Sequence, residues 1–299
     1  MTAFGRHFPS ARGAPGRGFN GLSASAERAF RRPAVALLLG LTVLGAAGGE
    51  AAATVTIAPH RAVYALELGH ARNSSNVTQA EGRLEYEWDD VCDGWTVRQR
   101  TLLTMVHRTG QSIQSNWVIN SWESKDGLKY RFFVRRFQPG GAVESIRGHA
   151  ELDGPGQGGR AVFYDPEERV IDLPAGTLFP TNYSLEMMTS AEENKLPIWR
   201  IMFDGFGDDE LLGVSAAGVA ALAAGESATV ESAMLDGQPS WRVRLAFFPL
   251  ERRTPEPDRE QGFRVFANGI VDELVIDYGD FSIDADLEDL TSLPQPSCQ

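Results

Sequence analysis

Residues Leu128-Lys129-Tyr130-Arg131-Phe132-Phe133-Val134-Arg135, LKYRFFVR, decide the fold class. Leu128, Tyr130, Phe132 and Val134 alternate with Lys129, Arg131, Phe133 and Arg135. Successive side chains of a strand point to opposite faces, so this period of two gives one apolar face and one largely basic face. The pattern recurs upstream, where Leu84, Tyr86 and Trp88 alternate with Glu85 and Glu87. It continues in Trp95, Val97, Gln99, Thr101, Leu103 and Met105, with Arg98 and Arg100 between them. Downstream, Trp241, Val243, Leu245 and Phe247 alternate with Arg242, Arg244 and Ala246. Half-buried antiparallel strands carry this signature.

Turn-forming pairs separate the runs: Asp93-Gly94, Asp126-Gly127, Pro139-Gly140-Gly141, Asp153-Gly154, Asp236-Gly237 and Asn268-Gly269. The last, between Arg264-Val265-Phe266 and Ile270-Val271, predicts a two-residue hairpin. About a dozen strands at this spacing suggest a sandwich or barrel. Two segments break the pattern. Thr181 to Asn194 reads as a helix, capped by Thr181 or Asn182, with Leu185, Met187 and Met188 as its apolar stripe. Ser215 to Ala224 is rich in alanine and reads as a second short helix, weakened by Gly213 and Gly218. No fixed repeat and no linker divides the remainder. Residues 54–299 are therefore expected to form a single domain.

The N-terminus points to export. Residues 1–32 hold six arginines against one acid, Glu27, and precede a 14-residue apolar run from Ala34 to Ala47. A small-residue stretch, Ala51-Ala52-Ala53, follows. Basic, apolar and small-residue regions in that order make a cleavable signal peptide over residues 1–53. The run falls short of the roughly 20 residues a membrane span needs. No transmembrane anchor is expected after cleavage. Removing residues 1–53, with six arginines and two glutamates, takes the net charge from −12 to −16. That balance argues against nucleic acid as a partner.

Two cysteines survive cleavage, Cys92 and Cys298. In an oxidising compartment such a pair normally forms a disulfide. The alternatives are a metal site and a catalytic thiol. His60, His70, His107 and His149 form no ligand-like pair in the sequence. Gly213-Val214-Ser215-Ala216-Ala217-Gly218 has the wrong spacing for a nucleophile elbow. No Walker loop, zinc-protease pair or dinucleotide fingerprint is present. No enzymatic activity, cofactor or metal is therefore expected. Asp204, Asp208, Asp209 and Glu210 read as a solvated acidic turn more readily than a calcium site.

Two groups remain as candidate sites. Lys129, Arg131, Arg135, Arg136 and Arg147 could form a basic patch for an anionic head group or an acidic partner. Trp117, Tyr130, Phe132, Met187, Met188 and Trp241 could line an apolar cavity if the sheet rolls up with more strands than its side chains fill. The Thr181–Asn194 helix could then act as plug or gate.

Asp90, Cys92, Asp93, Gly94 and Trp95, followed by Arg98 and Arg100, resemble a motif of the alphaproteobacterial envelope-integrity EipB family of periplasmic proteins. Pro59 to Leu66, Gly176 to Thr181, Phe203-Asp204-Gly205 and Asp277 to Phe281 resemble further family segments in the same order. Phe206 departs from the small polar residue expected there. The resemblance spans about Pro59 to Cys298. It implies a mainly β fold, a rolled open antiparallel β-barrel or β-spiral with one or two short helices. It also implies a disulfide between cysteines near the barrel's start and end, where Cys92 and Cys298 stand. A non-enzymatic role in envelope integrity and cell division follows from it, together with a link to a periplasmic tetratricopeptide-repeat protein. The expected ligand is a lipid or the acyl group of a lipoprotein. Two alternatives stand beside it: an interaction module with a filled core, and a glycan hydrolase using Asp204 and Asp208.

Overall fold

The period-two segments pair into one sheet of fifteen strands. The computed structural model describes residues 55–298 except 138–140, 142, 207–210, 225–227 and 252–254. The expected signal peptide lies outside the described residues. The first half of the sheet comprises β1 (His60–Ala71), β2 (Val77–Asp90), β3 (Gly94–His107), β4 (Ser112–Ser124), β5 (Lys129–Phe137), β6 (Val143–Leu152), β7 (Gly159–Asp165) and β8 (Arg169–Leu173). After the short β9 (Thr177–Leu178) comes α1 (Pro180–Glu192). The second half comprises β10 (Ile198–Phe203), β11 (Leu211–Leu222), β12 (Ser240–Pro249), β13 (Arg259–Phe266), β14 (Val271–Asp277) and β15 (Phe281–Ser292).

The order runs from β8 down to β1, crosses to β15, and continues down to β9. The first and last long strands therefore meet at the sheet's centre, with His60 opposite both Ser292 and Trp88. The β9–β10 edge turns inward and packs on the inner face of the other half. Phe203 of β10 lies 5.6 to 6.3 Å from the rings of Phe132, Phe163 and Tyr130. Tyr130 donates its hydroxyl to the Asp204 carbonyl at 3.1 Å. An edge tucked inside its own roll makes the expected open β-spiral, and it covers the β9–β10 end of the sheet.

Three packed clusters hold the roll. One joins β1, β2 and β15 to Phe266, Ile270 and the 228–235 loop. A second is the aromatic seam around Phe203. A third packs Tyr183, Met187 and Met188 of α1 on β10, β11, β12 and β13.

Cys92 and Cys298 form a disulfide, with Cα atoms 5.5 Å apart. Cys92 sits in the β2–β3 turn with φ of 67°. The tail beyond Ser292 crosses β1, where the Leu293 N–H donates to the Pro59 carbonyl at 3.0 Å, and ends at that turn.

Three local expectations are corrected. Ser215–Ala224 is not a helix, because most of it belongs to β11, paired with β10 and β12 on its two sides. Neighbouring strands satisfy its backbone, and burial of Leu212, Val214 and Ala216 overrides alanine's helical preference. The Asn268-Gly269 hairpin has three loop residues rather than two. Phe266 and Ile270 close it, and Gly269 takes φ of 80°. This is a type I turn followed by a left-handed glycine. Neither Thr181 nor Asn182 caps α1, since Phe179 occupies the N-cap and Pro180 begins the helix. The missing acceptor comes instead from Glu123 of β4.

Candidate functional site

The two halves of the roll do not meet everywhere. A cavity of ≈ 670 Å³ remains between β3–β5 on one side, β10–β14 on the other, and α1. Its apolar wall includes Trp117, Ile119, Val134, Met202, Leu245 and Phe247. Val134, Leu245 and Phe247 are inward members of the alternating sets, so the sequence pattern supplies part of the wall directly. Polar groups gather at Arg136, Asp204, Asp258, Arg259 and Gln261. The space is thus amphipathic, with an oily wall and a charged sector.

Three polar groups define its chemistry. Asp204 is buried, accepts the Phe206 N–H at 3.0 Å, and is pushed up from 3.8 chiefly by burial. The Arg259 guanidinium lies 4.2 Å from the Phe247 ring centroid. Tyr183 of α1 is 3% exposed and lines the cavity, and its hydroxyl has no hydrogen-bond partner among the described residues. Burying an unpaired hydroxyl is costly, so a bound acceptor or donor would satisfy it.

The helix that carries Tyr183 is fixed from outside its own sequence. Glu123, 2% exposed, accepts the Thr181 N–H at 2.7 Å, the Asn182 N–H at 2.9 Å and the Asn182 side-chain amide at 2.6 Å. A carboxylate at a helix N-terminus satisfies otherwise unpaired donors and meets the positive end of the helix dipole. Sequence reasoning missed Glu123 because its helix lies 58 positions downstream. The available signal was an acid on the apolar side of β4, in phase with Trp117 and Ile119.

Of the six expected cavity residues, Trp117 lines this space. Tyr130 and Phe132 lie in the aromatic seam, and Met187 and Met188 pack in the helix cluster with Trp241 against it. The seam also holds Gly205, whose φ is 70° and whose absent side chain lets the Phe132 ring approach. A Cβ there would sit 2.8 Å from that ring. Gly205→Ala is expected to destabilise the fold by about 2–3 kcal/mol, from left-handed strain and overpacking. Urea unfolding gives the figure directly, and a change under about 0.5 kcal/mol would contradict it.

The expected basic set divides. Lys129, Arg131 and Arg135 point outward from β5, and Arg147 points outward from β6. Arg136 faces inward, because adjacent residues of a strand take opposite faces. It pairs with Glu144 at 3.6 Å and donates to the Phe206 carbonyl. Asp208, invoked with Asp204 for hydrolysis, lies outside the described residues. Among the described residues no cluster of histidine, cysteine and acids could hold a metal. No helix among them is long and apolar enough to cross a membrane.

Comparison with known proteins adds an independent line. A family model described as EipB-like matches residues 51–294. The chain is 30% identical over 244 residues to the cell envelope integrity protein EipB of Brucella abortus (strain 2308), covering 80% of this chain and 85% of the relative. A crystal structure of a beta-barrel-like protein from Brucella abortus superposes with a TM-score of 0.73. That match has 26% identity and covers 80% of this chain and all of the other.

Proposed function

The chain belongs to the EipB-like family, and from that premise we propose that it supports cell-envelope integrity by holding a lipid or lipoprotein acyl group in its interior cavity. Its working compartment is then the periplasm, reached through the signal peptide. The observation that carries this reading is the amphipathic interior cavity, an oily wall beside a charged sector, with the unpaired Tyr183 hydroxyl on a lining residue. An amphiphile answers both features: its chain covers the oily surface, and a polar atom near its head pairs with Tyr183. Space of several hundred cubic ångströms is the scale of small-molecule sites. No catalytic step is needed.

Native mass spectrometry of mature protein purified from its own periplasm without detergent, followed by organic extraction, tests the proposal. A bound mass that extracts as lipid is expected. Tyr183→Phe should weaken rebinding of that lipid about five-fold, the loss of one hydrogen bond. A clean apo mass, with no uptake of a fluorescent fatty acid by the purified protein, would overturn the carrier reading.

A further inference from the structure

The outer face of the roll carries a separate feature that the cavity does not use. Cross-strand register places its side chains in rows. One row reads Arg100, Val118, Arg135, Ser145 across β3, β4, β5 and β6. The next but one reads Thr96, Trp122, Arg131, His149, and Lys129 stands beyond it. Arg100, Lys129, Arg131 and Arg135 are exposed, and none has a carboxylate within ion-pair distance among the described residues. The row between those of Arg100 and Arg131 carries Arg98 and Arg147, which pair with Glu87 at 2.8 Å and Asp165 at 3.1 Å. On the other half of the sheet Arg242 pairs with Glu273 at 2.6 Å and Arg244 with Glu260 at 3.0 Å. A chain of mature net charge −16 thus leaves four cations without an ion pair among the described residues on one sheet face, with Glu151 as the cross-strand neighbour of Lys129.

The row on the other side of Arg100 and Arg135 is different. It reads Leu102, Asn116, Phe137, Val143. Leu102 is 38% exposed and Val143 46% exposed. Apolar side chains therefore border the basic band along one margin.

We infer that this face docks on the surface of an anionic lipid bilayer. Three of the cations run along β5 and Arg100 stands two strands away on β3, so they are spread over the face instead of converging on one point. That geometry suits many head groups better than a single anion. The bordering Leu102, Phe137 and Val143 supply the shallow apolar insertion that interfacial binding adds to charge attraction. The Arg131 guanidinium lies 4.9 Å from the Trp122 ring centroid, a cation–π contact on this face. An acidic protein would meet the same charge and is the competing occupant that the vesicle and polyglutamate measurements separate.

Co-sedimentation of the mature protein with phosphatidylcholine vesicles, with and without phosphatidylglycerol, tests the inference. Binding is expected only with the anionic lipid and should fade in high salt. A Lys129→Gln/Arg131→Gln/Arg135→Gln variant should bind about a hundredfold more weakly, since each cation near such a surface contributes roughly five-fold. Arg242→Gln/Arg244→Gln, on another part of the outer surface, should bind as the parent does. Tyr183→Phe should also leave vesicle binding unchanged, which separates surface docking from lipid uptake into the cavity. Absence of co-sedimentation by the parent protein overturns the inference. So does an undiminished triple variant, or retention on an acidic polyglutamate matrix without vesicle binding.

Discussion

A Cys92→Ser/Cys298→Ser variant is expected to lose up to about 5 kcal/mol of stability, the chain-entropy value for closing so long a loop. The bridge spans a sequence separation of 206, so in the unfolded chain it restrains nearly the whole mature domain. For a domain of this size the loss corresponds to a melting temperature lower by about 10–15 °C. The β spectrum should persist, because no strand pairing depends on either sulfur, and β1 and β2 pair from outside the bridged segment. Serine keeps the left-handed backbone of Cys92, φ 67°, so the comparison isolates the covalent bond. The local consequence should be fraying of residues beyond Ser292, which rest on the Leu293–Pro59 hydrogen bond and the bridge. Circular dichroism melts with and without reductant give the first result, and amide exchange at Leu293 gives the second. An unchanged melting point in the double variant would remove the structural role assigned to the bridge.

The sheet was legible from the sequence because alternation is a local property. Tyr130, Phe132 and Val134 face inward as the LKYRFFVR stretch requires, and Trp241 to Phe247 obeys the same rule. The disulfide was legible because only two cysteines survive the expected cleavage. What was lost depended on contacts between distant segments. β11 is a strand because β10 and β12 flank it, which alanine content cannot report. Arg136 was grouped with Arg135 by proximity in sequence, although the strand period already separates them. Tyr130 and Phe132 were assigned to a cavity wall, but whether an inward aromatic fills or lines depends on the opposite layer. That layer is Phe203 and Phe179, supplied by the β9–β10 edge turning inward. Periodicity identifies a face and leaves its partner open.

Glu123 is the sharpest case of such a long-range dependence. Glu123→Ala is expected to destabilise the protein by about 3–4 kcal/mol, because it leaves two backbone N–H groups and an amide unpaired in a buried place. It should also release the start of α1, the element that presents Tyr183 to the cavity. Glu123→Gln keeps an acceptor oxygen and should cost less, which separates hydrogen bonding from charge. The two variants differ further in pH dependence. Burial raises Glu123 above its ordinary value of 4.5, outweighing the hydrogen bonds from Asn182 and Thr181 that favour the carboxylate. The folded protein therefore holds this proton more tightly than the unfolded chain does. Its contribution to stability is complete below 4.5, and it is lost as the pH rises through the elevated folded value. Asp204, raised by burial from 3.8, acts in the same direction. Urea unfolding at about pH 5 and about pH 7 should thus show the parent gaining more stability on acidification than Glu123→Gln does. Equal gains in the two proteins would mean that Glu123 ionises as freely inside the fold as in the unfolded chain.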